Sequence, residues 1–262
     1  ASKVTILRDG KSIVTMNTDE YSKEKFAKLM IGRDLSDSLP RKPCTPGKTV
    51  LKIENISTSS KRGHEAICDL SLKVREGEIV VIAGVDGNGQ KPLTEAIIGL
   101  EPVTEGSIWL YDNNVTKLPI RQRMDFGMAY VPQDRHKDAL ALSMSLSENM
   151  IVERYNKAPF SSKGWLHYNE VDKFTEKMIE DFHIKATGHA ATGKSLSGGN
   201  QQKVVLAREL SRNPKLLIAS QPTRGLDIAA VEFIHKKLLE ARDEGTAILV
   251  ISTELDECLS LC

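Results

Sequence analysis

Hydrophobic and polar residues alternate in several short stretches near the start of the chain. Residues 4–8 and 11–15 flank Asp9-Gly10, a pair typical of a two-residue hairpin turn, and predict a β-hairpin. Residues 50–56 and 66–74 alternate in the same way. They predict two antiparallel strands, each with one face exposed to water.

Residues 21–32 have the apolar spacing of a helix, with Ser22 as a candidate cap and Gly32 at the end. A hairpin and one helix bury little apolar surface by themselves. Residues 1–33 are therefore predicted to form a small unit that packs on a partner outside this chain. Residues 34–48 contain several prolines and predict a linker.

Beyond the linker, short apolar runs alternate with helical patterns. Residues 79–83, 216–219 and 247–251 are almost continuously apolar, as expected for strands buried on both faces. A further strand is predicted at 107–111, and helices are predicted up to Gly99, over most of 145–187, after Gly199 and over 228–242. Strands that alternate with helices indicate an α/β fold with a helical insertion.

A glycine-rich loop joins the strand at 79–83 to the helix that follows. Strand, glycine turn and helix in this order is the context of a phosphate-binding loop, whose backbone N–H groups and helix N-terminus bind phosphate oxygens. The candidate nucleotide-binding residues are Gly84, Gly87, Asn88, Gly89, Gln90 and Lys91. A plain turn between strand and helix is the alternative interpretation.

Two positions of this loop depart from the full phosphate-binding motif. That motif has lysine directly after the last glycine, followed by Ser or Thr as a ligand of Mg²⁺. Gln90 and Lys91 occupy these places. Because one step along a helix is about 100° of rotation, Lys91 can approach a phosphate only obliquely. Pro92 is tolerated because it lies in the first helical turn.

The apolar strand at 216–219 also lacks the acidic residues that a hydrolytic site would place at its end. Ser220 and Gln221 follow it, and neither carries the charge of a metal ligand or a general base. No intact catalytic residue is therefore predicted. Two separate parts of a hydrolytic site are missing, which indicates a nucleotide site whose chemistry is lost or supplied elsewhere.

The composition of the chain limits which partners it can bind and in which cellular compartment it is expected. The 36 basic and 35 acidic residues give a net charge of +1, which provides no uniform field for nucleic acid. The longest apolar runs are far shorter than a membrane span, and four scattered cysteines suit a reducing cytosol. Cys258 and Cys262 have the spacing of a ligand pair on one helix face, but no second pair follows, and no metal site is predicted.

The run Leu196-Ser197-Gly198-Gly199-Asn200-Gln201-Gln202-Lys203, together with the loop at 84–91 and Pro222 to Asp227, resembles the ATP-binding cassette proteins of bacterial importers. Its ending is similar to the class that imports simple sugars and nucleosides, whose ATPase subunit holds two cassettes in one chain. The resemblance implies a P-loop NTPase fold with an antiparallel β subdomain and a helical insertion at about 140–195. It also implies that 1–33 is the end of a first cassette, 34–48 a linker, and 49–262 a second cassette truncated at its C-terminal end.

The resemblance assigns roles to further residues. The signature residues Leu196, Ser197, Gly198, Gly199, Asn200 and Gln201 would contact the γ-phosphate held by an opposite cassette. Gln133 matches the loop that senses Mg²⁺, and Asp227 matches a loop at the dimer interface. Thr253 stands where a switch histidine is usual. No aromatic residue lies between residues 57 and 66 to stack on adenine, although His64 or Arg62 could replace it weakly.

The implied function is that of an ATP-binding subunit fragment of an importer of simple sugars or nucleosides. Its own nucleotide site is degenerate, with ATP weakly bound or vestigial and tight Mg²⁺-dependent binding not expected, while its signature completes the site of the partner cassette. The implied partners are the first cassette of the same subunit, transmembrane permease subunits and, indirectly, a solute-binding protein, with no nucleic acid. The chain would lie in the cytoplasm at the inner face of the membrane.

Several alternatives stay open at this point. The chain could be a non-hydrolysing regulatory nucleotide-binding module, or a soluble cassette protein of translation or DNA repair, which the lack of a basic excess disfavours. Residues 135–138 are predicted to be a solvated loop, with partner contact as the alternative. Trp165 with Phe160 and Tyr168 are either ordinary anchors or an exposed patch for a transmembrane subunit.

Overall fold

The computed structural model describes residues 3–8, 11–17, 43–59 and 67–261. The strands are β1 (Lys3–Arg8), β2 (Lys11–Asn17), β3 (Thr49–Thr58), β4 (Leu70–Arg75), β5 (Ile79–Ala83), β6 (Val103–Leu110), β7 (Asn113–Asn114), β8 (Met128–Val131), β9 (Ser161–Ser162), β10 (Trp165–Leu166), β11 (Leu216–Ser220) and β12 (Ala247–Ser252). The helices are α1 (Gln90–Ile98), α2 (Ile120–Asp125), α3 (Arg135–Asp138), α4 (Leu146–Ile151), α5 (Tyr168–Asp181), α6 (Gly198–Leu210), α7 (Ile228–Asp243) and α8 (Leu255–Leu261).

The predicted N-terminal hairpin is confirmed. β1 and β2 pair antiparallel, with Lys3 opposite Asn17 and a register shift between Ile6 and Leu7. The predicted helix at 21–32 lies outside the described residues. Of the predicted linker, the described residues 43–48 contain no helix or strand.

A parallel sheet in the order β5-β12-β11-β8 forms the centre of the fold. β11 and β12 are buried along their whole length, as their continuous apolar sequences predict. The same prediction is wrong for β5, which is only half-buried. In the described sheet β5 pairs with β12 alone and therefore lies at an edge, a position that its own sequence does not encode.

The two faces of this sheet belong to two different cores. Leu217, Ala219, Ile248 and Val250 face one cluster of buried residues, which continues into α4, α5, α6 and α7. The residues between them, such as Ile218 and Leu249, face a second cluster built with α1, β3 and β6. Because side chains alternate along a strand, one central sheet supports both a helical layer and an antiparallel layer.

The antiparallel layer is a second sheet in the order β4-β3-β6-β7. The two predicted antiparallel strands are confirmed, although the second begins at Leu70 rather than at residue 66. Its pairing with β3 shifts register between Ile53 and Ile56, and Asn55 has a left-handed φ of 47°. Gly106 of β6 lies against this irregularity, where a Cβ would stand 2.3 Å from the Asn55 carbonyl oxygen.

The helical insertion is less helical than its sequence predicts. Only α4 and α5 are helices between residues 145 and 187, and the prediction is wrong for residues 152–167. Those residues form turns and a small β9–β10 hairpin, closed by Lys163 and Gly164 with left-handed φ values of 50° and 85°. A left-handed two-residue turn favours a hairpin over a continuing helix. None of the helices in the described part of the chain is long and apolar enough to cross a membrane.

Candidate functional site

The glycine-rich loop lies between the end of β5 and the start of α1, as predicted. Gly87 and Gly89 adopt left-handed φ values of 99° and 90°, which other residues rarely adopt. A Cβ on Gly84 would stand 2.7 Å from the side-chain nitrogen of Gln90. The loop is therefore a tight turn whose conformation requires glycine, and it delivers the chain to the N-terminus of α1.

Gln90, at the position of the usual lysine, folds back onto the loop. Its Nε2 donates to the carbonyl oxygen of Val85 at 2.8 Å, and the residue is only 9% exposed. The neutral amide thus satisfies the loop's own backbone. It places no cation at the N-terminus of α1.

Lys91 lies on the outer surface of α1. Its Nζ is 3.7 Å from Oε1 of Glu95, one turn further along the helix, and its side chain is largely exposed. The Lys91 ammonium group therefore pairs with the Glu95 carboxylate on the surface of α1. Pro92 is the third residue of α1, within the first turn, as expected.

Ser220, Gln221 and Thr253, which are predicted to stand at the acidic and switch-histidine positions, lie at the ends of β11 and β12. Ser220 ends β11 and is buried. Gln221 follows with a left-handed φ of 46°, and its N–H donates to the carbonyl oxygen of Ile251 at 2.7 Å. Thr253 directly follows β12 and is half-buried. Carboxylates are absent from all three positions, so these side chains do not suit a Mg²⁺ ion held at the strand ends.

A cavity of about 1510 Å³ brings part of the predicted nucleotide site together. Among its lining residues are Gly87, Gly89, Gln90, Lys91, Gln133 and Ser220. Gln221 and the signature residues 196–201 do not line it. His64 and Arg62, the candidate adenine contacts, lie outside the described residues.

The signature residues lie at the start of α6. A 3-10 turn at Gly193–Ser195 and the buried Leu196 lead to Ser197, the N-cap residue of the helix. An N-cap serine usually accepts a hydrogen bond from a backbone N–H of the first turn, but the Ser197 side chain accepts none from these backbone groups. The first N–H groups of α6 are therefore left without this partner, at the helix end that favours anions.

The segment after Gln133 contacts the signature directly. Asp134 caps α3 by accepting from the N–H groups of His136 and Lys137, and these hydrogen bonds lower the pKa of its carboxyl group. His136 Nε2 lies 2.7 Å from Oε1 of Gln201. The guanidinium group of Arg135 lies beside Gly198, where a Cβ would stand 2.7 Å from Nη2. Residues 135–138 therefore form the short helix α3 rather than the predicted loop. His136, Lys137 and Asp138 are exposed, as predicted, and the contacts of Arg135 and His136 with the start of α6 add what the sequence does not predict.

Asp227, predicted from the resemblance to lie at an interface, caps α7 in this structure. Its Oδ1 accepts from the N–H of Ala230 at 2.9 Å. Close by, the hydroxyl group of Thr223 donates to Oε1 of the buried Glu257, which also lies 3.1 Å from Nε2 of His235. The loop from Thr223 to Asp227 is thus anchored at both ends.

We expect Asp227→Ala to lower the free energy of unfolding by about 1 kcal/mol, because it removes an N-cap acceptor. Asp227→Asn is the matched control and should stay close to the wild type, since asparagine caps helices equally well. Urea unfolding followed by circular dichroism measures both variants. Equal losses in the two variants would show that the carboxylate charge, and not the cap, stabilises this loop.

The aromatic patch suggested in the insertion is partly wrong. Phe160 is buried and packs edge to face on Phe174 with the ring centroids 5.1 Å apart. Trp165 and Tyr168, by contrast, are 79% and 67% exposed. Phe160 is therefore a core residue, and only the other two aromatic residues lie on the surface.

Comparisons with known proteins agree with this fold. A protein-family profile described as ABC transporter matches residues 67–224. The chain is 45% identical over 261 residues to the nucleoside import ATP-binding protein NupA of Lactococcus lactis subsp. cremoris, covering 100% of this chain and 52% of that protein. It is 44% identical over 259 residues to the guanosine import ATP-binding protein NupO of Bacillus subtilis, covering 99% of this chain and 51% of that protein. The chain thus spans about half the length of these relatives.

Among solved structures, the dimeric structure of a bacterial ABC transporter cassette has a TM-score of 0.68 and 25% identity. The match covers 80% of this chain and 90% of that one. A second structure, a dimeric post-hydrolysis cassette bound to ADP and Pi, has a TM-score of 0.67 and 25% identity, and the match covers 79% of this chain and 89% of that one.

Proposed function

Since the chain belongs to the ABC transporter family, we propose that it is part of the ATP-binding subunit of an importer of nucleosides or simple sugars. The relatives named for nucleoside and guanosine import match it along its whole length, which supports this solute class. Because it spans about half of those relatives, we assign residues 49–262 to the second of two cassettes and residues 1–33 to the end of the first. Residues 34–48 then form the linker.

The nucleotide site of this chain does not hydrolyse ATP. Gln90 donates to the loop itself, and Lys91 pairs with Glu95, so neither side chain takes the place of the usual lysine. Ser220 and Gln221 offer no carboxylate to hold Mg²⁺ or to polarise a water molecule. The site therefore binds ATP weakly or is vestigial, and Mg²⁺ adds little to that binding.

The signature of this chain works at the site of the partner cassette. The observation that carries this proposal is the open N-terminus of α6, where Ser197 leaves the first N–H groups without a side-chain cap. Those groups are suited to a phosphate that another cassette holds. The active site is then formed by the phosphate loop of the first cassette and by the signature at residues 196–201.

The partners follow from this role. The first cassette of the same subunit supplies the hydrolytic residues, and permease subunits hold the assembly at the inner face of the membrane, with a solute-binding protein acting indirectly. Closure of the cassettes on ATP would drive the permease between its access states.

The test is ATP hydrolysis by the full-length subunit reconstituted with its permease. We expect Ser197→Arg to lower the turnover number at least about tenfold, because a bulky cation then blocks the open end of α6, an effect of about 1.4 kcal/mol or more on the barrier. Ser197 is exposed, so the change should leave the fold intact. Gln221→Ala in the degenerate site is the matched control and should stay within about twofold.

Two results would contradict the proposal. A loss of turnover in Gln221→Ala as large as that in Ser197→Arg would place catalysis in the site of this chain. Turnover above background by the purified chain alone, abolished by changing Gln221, would do the same.

A second function, a non-hydrolysing regulatory nucleotide module, is favoured by the intact glycine turn beside a cavity of about 1510 Å³. Calorimetric titration of the chain with ATP, with and without Mg²⁺, separates the two functions. Binding weaker than the millimolar range supports the vestigial site. Tight binding that is unchanged by Mg²⁺ and lost in Lys91→Ala supports the regulatory module.

A further inference from the structure

Asn200, the third residue of α6, makes one hydrogen bond with each end of its amide group. Its Oδ1 accepts from the backbone N–H of Lys185 at 2.9 Å. Its Nδ2 donates to Oγ of Ser197 at 2.9 Å. A backbone N–H can only donate, so the contact with Lys185 fixes which end of the amide is the oxygen. The nitrogen must then face Ser197.

This orientation dictates what the Ser197 hydroxyl group can do. A serine hydroxyl has two acceptor lone pairs and one hydrogen. The oxygen accepts from Asn200, so the hydrogen cannot be shared with that residue. Within the described residues no acceptor takes this hydrogen, and the oxygen does not cap α6. The hydroxyl group is thus left as an uncommitted donor beside uncapped helix N–H groups.

We propose that Asn200 is a positioning residue that keeps the Ser197 hydroxyl group as a donor toward the phosphate bound by the partner cassette. This inference rests on the proposed role of the signature. Asn200 occupies one of the two lone pairs of Ser197 Oγ and offers no acceptor to its hydrogen, while the oxygen does not cap the helix as an N-cap serine usually does. The hydroxyl hydrogen and the first N–H groups of α6 are then all available to phosphate oxygens, which only accept.

The polarity of the contact gives a sharp test. In Asn200→Asp one carboxylate oxygen can still accept from Lys185, but the other accepts from Ser197 and captures its hydrogen. Asn200→Ala removes the contact without adding a charge. We expect the turnover number of the reconstituted full-length subunit to fall about fivefold in Asn200→Ala and further in Asn200→Asp.

A double-mutant cycle with Ser197→Ala tests whether Asn200 acts through the hydroxyl group. If it does, Asn200→Ala should have almost no effect on turnover when Ser197 is already alanine. A residue that only stabilised the fold would lower turnover equally in both backgrounds. Asn169→Asp, an exposed change of the same type in the first turn of α5, is the matched control and should leave turnover unchanged.

The outcomes separate this inference from the function on which it rests. If Ser197→Arg leaves ATP hydrolysis unchanged, the proposed role of the signature fails. If Ser197→Arg lowers hydrolysis but the effects of Ser197→Ala and Asn200→Ala simply add, the signature role stands and the positioning role of Asn200 is wrong.

Discussion

Replacing Arg123 by methionine is expected to lower the free energy of unfolding by about 3 kcal/mol, because it removes a charged donor from four buried or partly buried carbonyl groups. Arg123 is 2% exposed. Its guanidinium group donates to the carbonyl oxygens of Ala96 and Ile97 at 2.7 Å and to those of Leu118 and Thr116 at 2.8 Å.

Two of these carbonyl groups belong to the last turn of α1, where helix carbonyls have no partner within the helix. Arg123 therefore closes the C-terminal end of the helix whose N-terminal end carries the phosphate loop. Gly99 makes room for it, since a Cβ there would stand 2.9 Å from Nε of Arg123. Burial lowers the pKa of Arg123, because desolvation disfavours its charged form. This cost of burying the cation makes the stability lost in Arg123→Met smaller than the summed free energies of its hydrogen bonds.

Urea unfolding of the chain measures the effect. Arg121→Met, on the same helix, is the matched control, because Arg121 is exposed and donates to Asn156 at 3.0 Å. We expect the control to change stability by less than about 0.5 kcal/mol. If Arg123→Met loses no more than Arg121→Met, the carbonyl groups have found other donors and the capping role is wrong.

Secondary structure could be predicted where a local pattern decides it. α7 was expected at 228–242 and spans Ile228–Asp243, because Asp227 caps it and apolar residues follow at helical spacing. The predicted ends of β11 and β12 agree with the structure to within one residue, since a short continuous apolar run bounded by polar residues favours a buried strand. β8 escaped prediction because it has only four residues.

Position within the fold could not be predicted in the same way. The edge location of β5 depends on the order of strands that are distant in sequence. The β9–β10 hairpin depends on a left-handed turn at Lys163 and Gly164, which the surrounding helical spacing of apolar residues hid.

In the candidate site, too, contiguous motifs can be predicted from the sequence, whereas contacts between distant residues cannot. The glycine loop and the signature are contiguous motifs, and sequence alone places them correctly at the starts of α1 and α6. The turn of Gln90 back onto Val85 and the contact of His136 with Gln201, which lie 65 residues apart, are set by tertiary structure. Spacing can identify the residue types at a site, but the directions of their side chains require the fold.

A second large effect is expected at Glu209, near the end of α6. Its carboxylate is fully buried and lies 2.9 Å from Nε of Arg208 and 3.4 Å from Nη1 of Arg212. Glu153 shares Arg212 through a short ion pair. Oε2 of Glu209 also accepts from the N–H of Tyr130 at 3.4 Å, so the cluster joins the signature helix to the strand that leads to Gln133.

Burial raises the pKa of Glu209 from its ordinary 4.5 to about 7, and the nearby carboxylate of Glu153 acts in the same direction against Arg208 and Arg212. Between these two values the folded chain keeps a proton that the unfolded chain has lost. Stability therefore falls as the pH rises through this window, by up to about 3 kcal/mol, since each pKa unit corresponds to about 1.4 kcal/mol.

Glu209→Gln has the same shape and does not titrate, so it isolates this effect from all other groups. We expect wild-type stability, measured by urea unfolding relative to Glu209→Gln, to decrease between pH 4.5 and pH 7. A constant difference across this range would mean that Arg208 and Arg212 keep Glu209 ionised in the folded chain.

Glu148→Gln gives a control of opposite sign. Hydrogen bonds from the hydroxyl and backbone N–H of Ser145 lower the pKa of Glu148, so its contribution is present above its ordinary 4.5 and is lost as the pH falls. Relative to this variant the wild type should gain stability as the pH rises toward 4.5 and change little above it, whereas relative to Glu209→Gln it should lose stability between pH 4.5 and pH 7. If both pH dependences are observed, the loss of stability toward neutral pH comes from Glu209. The buried cluster that it forms with Arg208, Arg212 and Glu153 links α6 to β8, the strand that leads to Gln133.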